Sequence, residues 1–396
     1  MNILMFNYEY PPIGGGGGIV HSLLAEELAR RHRVCVITSA YGDHAPRHEN
    51  HNGVEIHRVP VVGRTDRDVA TVRSLMSYVP AAWLRAMTLL RREAFEVINA
   101  HFAVPTGVAS VHVARLANLP HVMTLHGGDI YDPSKSLSPH RIAPLRWTIV
   151  NVLRRSDRVV ADSTNTRDNV YRYYNYRDPI DVIPLGIRKP EVPQASRADL
   201  GLPSRVFLAV TVGRLVKRKA LDELLKAVKR CGCEAVHLVV VGGGPERTQL
   251  ERLTAELGLV DRVHFMGYVD ETRKWQILEC SDAYVSSSMH EGFGLVYLEA
   301  MAAGLPVITY DHGGQTDFLR DGDTGVLVRV GHLEALAVAI RRLAAAPDLI
   351  ARIGRSNRTR WEEHRIERCA NAYEALFERA VDVQGATRTS ERGDED

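Results

Sequence analysis

No apolar run in this chain reaches the roughly 18–20 residues that a helix needs to cross a bilayer, so the sequence offers no membrane-spanning segment. Cysteine is scarce. The five residues (Cys35, Cys231, Cys233, Cys280, Cys369) are an odd number scattered over a long chain, which fits reduced cytosolic thiols and excludes a disulfide framework. Cys231-Gly232-Cys233 has no second ligand pair nearby and is read as incidental. Net charge is only +2, too little to argue for a nucleic-acid partner. No secretory signal opens the chain, since Met1-Asn2-Ile3-Leu4-Met5-Phe6 runs straight into a Pro- and Gly-rich stretch. A dinucleotide fingerprint is also missing. The first Gly-rich stretch is not G-x-G-x-x-G, and no acid follows the second strand, Val34 to Thr38, where it would hold a ribose. A nicotinamide oxidoreductase would need both.

What is present is a soluble globular chain of 396 residues, 45% hydrophobic and 25% charged, long enough for two domains. Residues 1–187 carry 21 Lys+Arg against 17 Asp+Glu, or +4, and the remainder 29 against 31, or −2. Short apolar strands alternate with helical patterns throughout, the mark of α/β architecture. Ile3 to Asn7 is the first strand, and the five glycines Gly14 to Gly18 lead into a helix with Val20, Leu23, Leu24 and Leu28 at helical spacing. This glycine run reads either as a surface loop or as a wall of a ligand cleft that orders on binding. Val54 to Val59, Val97 to Ala100, Arg158 to Ala161 and Ile180 to Ile183 read as further strands, and Val104 to Ala117 as a helix. His121 to Leu125 is a strand ending in His126-Gly127-Gly128-Asp129, where an open α/β sheet binds its ligands.

The stretch from Arg64 to Arg92 has its own character. Val72, Leu75, Met76, Val79, Trp83, Met87 and Leu90 recur at three- and four-residue spacing, and Arg64, Arg67, Arg73, Arg85, Arg91 and Arg92 outnumber Asp66, Asp68 and Glu93. It reads either as a helix lying on an anionic membrane surface or as one packed on the sheet with a solvated basic back. Pro80 predicts a kink or a helix pair. Residues 188–205 hold three prolines and no apolar period, as an interdomain linker does. The βα pattern then restarts with no residue-level repeat of the first half. Trp361 to Ala380 reads as an amphipathic helix, and 384–396 as a disordered polar tail.

The second half is organised around Met289-His290-Glu291-Gly292-Phe293-Gly294-Leu295 and the helix that follows. Ala283 to Ser286 precedes it as a buried strand, and Gly304 with Pro306 ends the helix. Strand, Gly-containing loop and helix N-terminus aim backbone N–H groups at whatever lies outside the sheet. Arg214 and Lys219, in one strand-to-helix connection, suit a diphosphate, the Arg as a planar fork and the Lys as a point charge. Together they make a site for a doubly charged leaving group without a metal. Glu299, eight residues after Glu291, is then free to accept two neighbouring hydroxyls such as a ribose offers.

These residues resemble glycosyltransferase family 4, the retaining sugar-nucleotide transferases. The resemblance covers nearly the whole length. It rests on Gly213-Arg214 with Lys219, Gly242-Gly243-Gly244-Pro245, Phe265-Met266-Gly267, and the E-x7-E run from Glu291 to Glu299 continuing through Ala300-Met301-Ala302-Ala303-Gly304-Leu305-Pro306-Val307-Ile308. It implies the GT-B fold: two Rossmann-like doubly wound domains (1–187 and 188–365) facing across a cleft, with a C-terminal helix (366–383) crossing back to the first. It further implies that Arg214 and Lys219 hold the nucleotide diphosphate, Glu299 the ribose, and backbone at Gly267 and Tyr268 the base. Glu291 with the amides of Phe293, Gly294 and Leu295 would hold the donor sugar and distal phosphate. His126 would sit beside the reacting carbon, Gly17 and Gly18 would approach the phosphate or acceptor, and Gly16 and Asp129 would lie on the acceptor side. Two departures are Ala220, where the family often has Gly, and Gly243, often acidic in relatives.

The resemblance thus predicts a retaining, metal-independent glycosyltransferase without a cofactor, moving a hexose-type sugar from a nucleotide-diphosphate donor to a hydroxyl of a glycan, a lipid-linked acceptor or a small molecule. Glu291 as a covalent nucleophile competes with a front-face route in which the leaving diphosphate takes the acceptor proton. The second is favoured because no second acid is in evidence. Glu291, His126, Arg214 and Lys219 are the catalytic candidates. A sugar-nucleotide epimerase and a non-catalytic nucleotide-sugar-binding protein are the alternatives. The expected location is cytoplasmic, peripheral at the inner face of the plasma membrane if the basic helix binds lipid.

Overall fold

A computed structural model describes residues 1–42, 45–64, 70–134 and 138–393, with side chains through 385. The chain divides into two compact units, Met1–Gly186 with Arg365–Asp396, and Ile187–His364.

Among the described residues the first unit carries a sheet of eight strands in the order β3-β4-β2-β1-β5-β6-β7-β8. In chain order its elements are β1 (Asn2–Asn7), α1 (Gly16–Leu28), β2 (Arg33–Ser39), β3 (His48–His51), β4 (Val54–Val59), α2 (Val72–Leu90), β5 (Val97–His101), α3 (Val108–Ala117), β6 (His121–Leu125), α4 (Ala143–Arg154), β7 (Arg158–Ala161), α5 (Thr164–Tyr174) and β8 (Asp181–Val182). Every pairing is parallel except β3 with β4, an antiparallel edge that sequence periodicity missed. Strand side chains alternate faces. Ile3 and Met5 pack with Leu24 and Leu28 of α1, whereas Leu4 and Phe6 pack with Tyr78, Ala82 and Ala86 of α2. Both faces are covered, as a parallel sheet requires. The strand order reverses at β1, which pairs with β2 on one side and β5 on the other. The carboxyl ends of β1 and β5 therefore flank the crevice where such sheets bind ligands.

The second unit follows the same plan with six parallel strands in the order β11-β10-β9-β12-β13-β14. Its elements are β9 (Phe207–Val212), α6 (Leu221–Arg230), β10 (Val236–Val241), α7 (Arg247–Glu256), β11 (Val263–Gly267), α8 (Glu271–Glu279), β12 (Ala283–Val285), α9 (Leu295–Ala303), β13 (Val307–Tyr310), β14 (Gly325–Val328), α10 (Leu333–Ala344) and α11 (Pro347–Arg360). Here the order reverses at β9, between β10 and β12.

Several expectations are corrected. Residues 188–205 are not a free linker. Arg197 donates to the carbonyls of Cys280 (2.8 Å) and Val206 (2.9 Å) and pairs with Asp282 (2.8 Å), and Leu200 and Leu202 are buried. Pro80 lies inside one continuous helix, exposed on its outer face, because Tyr78, Ala82 and Ala86 on the inner face hold α2 to the sheet. Asp66, Arg67 and Asp68 of the basic stretch lie outside the described residues, as do 394–396 of the tail. The rest of that tail is helical, since α12 (Ile366–Gly393) runs through it.

Helix α12 belongs to the first unit. Ile366, Tyr373, Leu376 and Phe377 are fully buried among Ile3, Val34, Val97 and Val122. Phe377→Ala should lower the stability of this unit by about 3–5 kcal/mol in urea unfolding. Val383→Ala, at a position 58% exposed, should change it by less than about 0.5 kcal/mol. Equal small effects would contradict this account of α12.

Candidate active site

At the carboxyl edge of the second sheet two connections lie backbone against backbone. Gly213 N donates to Val241 O (2.9 Å) and Leu215 N to Gly243 O (2.9 Å). A Cβ on Gly242 (φ +131°) would fall 2.0 Å from the Gly213 carbonyl oxygen. That approach explains part of the Gly242-Gly243-Gly244 run without invoking a ligand. The chain then makes a tight turn over Lys217–Lys219. Ala220 adopts left-handed φ +45° at the start of α6, which is the physical reason a glycine suits this position and the cost, about 1–2 kcal/mol, of an alanine there.

The turn delivers two cations onto Glu291. Arg218 Nη1 pairs with Glu291 Oε2 at 2.8 Å and also donates to the His290 carbonyl, while Lys219 Nζ donates to Glu291 Oε1. Glu291 is buried, and its backbone is held as well, Gly314 N donating to its carbonyl at 2.9 Å. Burial pushes the Glu291 carboxyl up, but Lys219 and Arg218 outweigh it and hold the group well below its ordinary 4.5. Burial pulls the Lys219 ammonium down, and Glu291 restores only part of the loss. Arg214, Lys219, Gly213, Thr211, Tyr284 and Ser286 line a small open hollow beside this cluster. Next to it α9 begins at Gly294 (φ +93°), with no side-chain hydrogen bond capping its first amides, the arrangement that attracts an anion.

The residues expected at the nucleoside end are placed as follows. Glu299 Oε1 accepts from Lys274 Nζ at 2.7 Å, and Lys274 also pairs with Glu271 at 2.8 Å. Burial raises the Glu299 carboxyl more than Lys274 lowers it. Gly267 (φ +69°) ends β11 beside Arg247, and Tyr268 is 76% exposed. Sequence reasoning missed Arg218 and Lys274. The adjacent basic triplet Lys217-Arg218-Lys219 was the available signal for the first.

The first unit has its own polar centre at the carboxyl ends of β5 and β6. The His126 side chain is 5% exposed, and His101 Nδ1 lies 2.8 Å from its Nε2. Burial pulls His126 down to about 4. Phe102, at φ +69°, packs against His126 with ring centroids 4.8 Å apart and planes tilted by 51°. A Cβ on Gly17 would fall 2.4 Å from the Phe102 ring, so Phe102 is a local reason for that glycine. Gly16 to Gly18 are not a loose loop; they form the first turn of α1, with Gly16 exposed at its start and Gly18 buried. Asp129 is corrected more sharply. Its carboxylate turns inward, accepting from Ala103 N and His126 N at 3.0 Å each, and burial pushes it up to about 6. It braces the His126 loop, with each carboxylate oxygen engaged by one backbone amide. Asn99, His101 and Phe102 went unrecognised; polar residues at alternate positions of an otherwise apolar strand were the signal for the first two.

Among the described residues Cys35, Glu55 and His57 form a group that could hold a metal. Glu55 there already accepts from His57 at 2.9 Å and His48 at 3.2 Å and pairs with Arg33 at 3.2 Å. Asp321-Gly322-Asp323 has D-x-D spacing, but Asp321 accepts from Leu327 N and Asp323 pairs with Arg360.

Glu291 tests the electrostatics of the cluster. Its carboxyl is depressed in the fold, so its stabilising contribution is complete above about pH 4.5 and is lost as pH falls toward the depressed value. Glu291→Gln should cost about 3 kcal/mol at neutral pH, by removing the one negative charge that both cations face. The gap to wild type should narrow below pH 4.5 in urea unfolding. A pH-independent gap would contradict the ion-pair origin.

The family model described as Glycosyltransferase Family 4 matches residues 14–189, and that described as Glycosyl transferases group 1 matches residues 193–360. A D-inositol 3-phosphate glycosyltransferase of Rhodococcus jostii is 31% identical over 373 residues, covering 86% of this chain and 80% of the relative. A lipopolysaccharide core biosynthesis glycosyltransferase of Rhizobium meliloti is 39% identical over 214 residues, 53% of this chain, and the match spans only 60% of that relative's length. Among solved structures, Anabaena HepE in complex with UDP-glucose matches with a TM-score of 0.74 at 20% identity, over 95% of this chain and 99% of that one. The chain belongs to glycosyltransferase family 4 and has the GT-B fold.

Proposed function

We propose that this protein moves a hexose-type sugar from a nucleoside diphosphate donor to an acceptor hydroxyl, with retention at the anomeric carbon. The observation that carries the reading is the convergence of Arg218 and Lys219 on buried Glu291, beside Arg214 and the uncapped start of α9. A diphosphate brought there meets several cations and backbone amides already in place, so little reorganisation opposes its departure. Those side chains supply the positive charge a divalent ion would otherwise bring, which supports a metal-independent reaction. Glu291 is a poor nucleophile because Arg218 and Lys219 each engage one of its two oxygens. The same-face route fits better: the bond from the anomeric carbon to the diphosphate breaks, the acceptor oxygen bonds to that carbon on the same face, and the leaving phosphate oxygen takes the acceptor proton. Glu291 then holds sugar hydroxyls and Glu299, once Lys274 yields one oxygen, the ribose. His126 serves the transfer from the first unit. The UDP-glucose bound by Anabaena HepE makes a uridine donor the first to try.

The acceptor is proposed to be presented at an anionic membrane surface. Val72, Met76, Pro80 and Leu84 form an exposed stripe at four-residue spacing along α2. Helices α2, α3 and α4 pack side by side and contain no acidic residue. Leu116 and Trp147 add exposed apolar surface, with Arg73, Arg115 and Arg146 nearby in sequence. No described helix is long and apolar enough to cross a membrane, so contact at the surface, on the inner face of the plasma membrane, is the arrangement proposed.

A panel of nucleotide sugars should contain one that raises the melting temperature and whose sugar is transferred or slowly hydrolysed. Epimerised product, or binding without turnover, would favour the alternatives instead. Lys219→Ala should raise the donor KM about 10–100-fold, the loss of one charge-assisted phosphate contact; an unchanged KM would discredit the diphosphate role. In co-sedimentation, vesicles with anionic lipid should retain the protein better than neutral ones, and Met76→Glu with Leu84→Glu should abolish the difference. Equal retention on both kinds of vesicle would contradict the membrane contact.

A further inference from the structure

The hydrogen bonds behind His126 leave little freedom in where its proton sits. Asn99 is fully buried and its Nδ2 donates to the Val122 carbonyl (3.1 Å) and to Thr124 Oγ1 (3.1 Å). A carbonyl only accepts, so the Asn99 amide orientation is settled and its Oδ1 faces His101. That oxygen lies 2.8 Å from His101 Nε2, which must therefore carry a hydrogen. His101 is buried without an acidic partner at that ring edge, packed at 4.2 Å on the His21 ring and stacked on Tyr373. A neutral ring with hydrogen on Nε2 has a lone pair on Nδ1, and that atom faces His126 Nε2 at 2.8 Å. His126 Nε2 is in turn the donor. Its Nδ1 is then a bare lone pair, buried and without a hydrogen-bond partner among the described residues, 3.9 Å from Asp162 Oδ2.

We propose that His101, itself oriented by Asn99, is a positioning residue that locks His126 as the Nε2-protonated tautomer and fixes its ring plane against Phe102. The functional part rests on the reading that His126 serves glycosyl transfer; the tautomer does not. A ring flipped or turned would place Phe102, and the glycine turn packed on it at Gly17, differently. Without the lock, Nδ1 would draw the hydrogen toward Asp162, and the ring would sample two states in place of one. The effect is on the geometry of the reacting state, so it belongs in kcat.

Nitrogen-15 NMR of the full chain, labelled at histidine and assigned by His101→Leu and His126→Gln, reads the tautomer directly. Hydrogen on Nε2 of both rings at neutral pH is expected. Hydrogen on His126 Nδ1, or a doubly protonated His126, overturns the proposal whatever the activity. His101→Leu should shift His126 toward a tautomer mixture and lower kcat on the order of 10–100-fold, with donor KM within about 2-fold. His101→Gln, whose amide oxygen can accept from Nε2, should recover most of kcat. Equal loss in both variants, or a loss confined to KM, would mark His101 as merely structural. If wild type turns over no nucleotide sugar, the transfer reading fails while the spectrum still decides the tautomer.

Discussion

A carboxylate buried between two cations ties the second unit together. Glu291 comes from the connection after β12, Arg218 and Lys219 from the connection after β9, and the Gly313-Gly314 turn after β13 closes on the Glu291 backbone. Three strand ends of one sheet are thereby fixed to each other at the place where the strand order reverses. None of the three groups would tolerate that depth alone, because an uncompensated charge there is costly. Paired, they preorganise positive charge at the lip of a hollow, and the same arrangement serves both stability and anion binding.

The topology of parallel sheets decides where such a cluster can stand. In both units the order reverses beside one strand, β1 in the first and β9 in the second. The connections on either side leave toward opposite faces, and only there does a crevice open at the carboxyl edge. The first unit uses its crevice differently. It gathers neutral imidazoles, His21, His101 and His126, under aromatic cover, where the second gathers formal charge.

Much of this was legible in the residues. Ala283 to Gly304 announced strand, glycine turn and helix because each signal is local: an apolar run, a residue with positive φ at Gly294, and a left-handed C-cap at Gly304. The alternation of strands and helices fixed the fold class for the same reason. Pairings across the chain were not legible. Arg214 and Arg218 are equivalent in composition, and only the tight turn at Lys217–Lys219 turns Arg218 onto Glu291. Asp129 looked like a ligand group at a strand end, but its partners are amides 26 and 3 residues away. Pro80 read as a kink or a helix pair because propensity is local, whereas the burial of Tyr78 and Ala82 that holds one continuous helix is tertiary. The polar end of α12 carries no apolar period to reveal a helix, which there continues one already anchored by Tyr373 and Phe377.

The central claim is that the cations around Glu291 recognise a diphosphate. Calorimetric titration with a nucleoside diphosphate, the matching monophosphate and the free nucleoside tests it without any turnover. The account predicts that affinity rises stepwise with each phosphate, by on the order of 10-fold or more from nucleoside to diphosphate, and that the gain shrinks as salt is added. Equal affinity for nucleoside and diphosphate at low salt would contradict it.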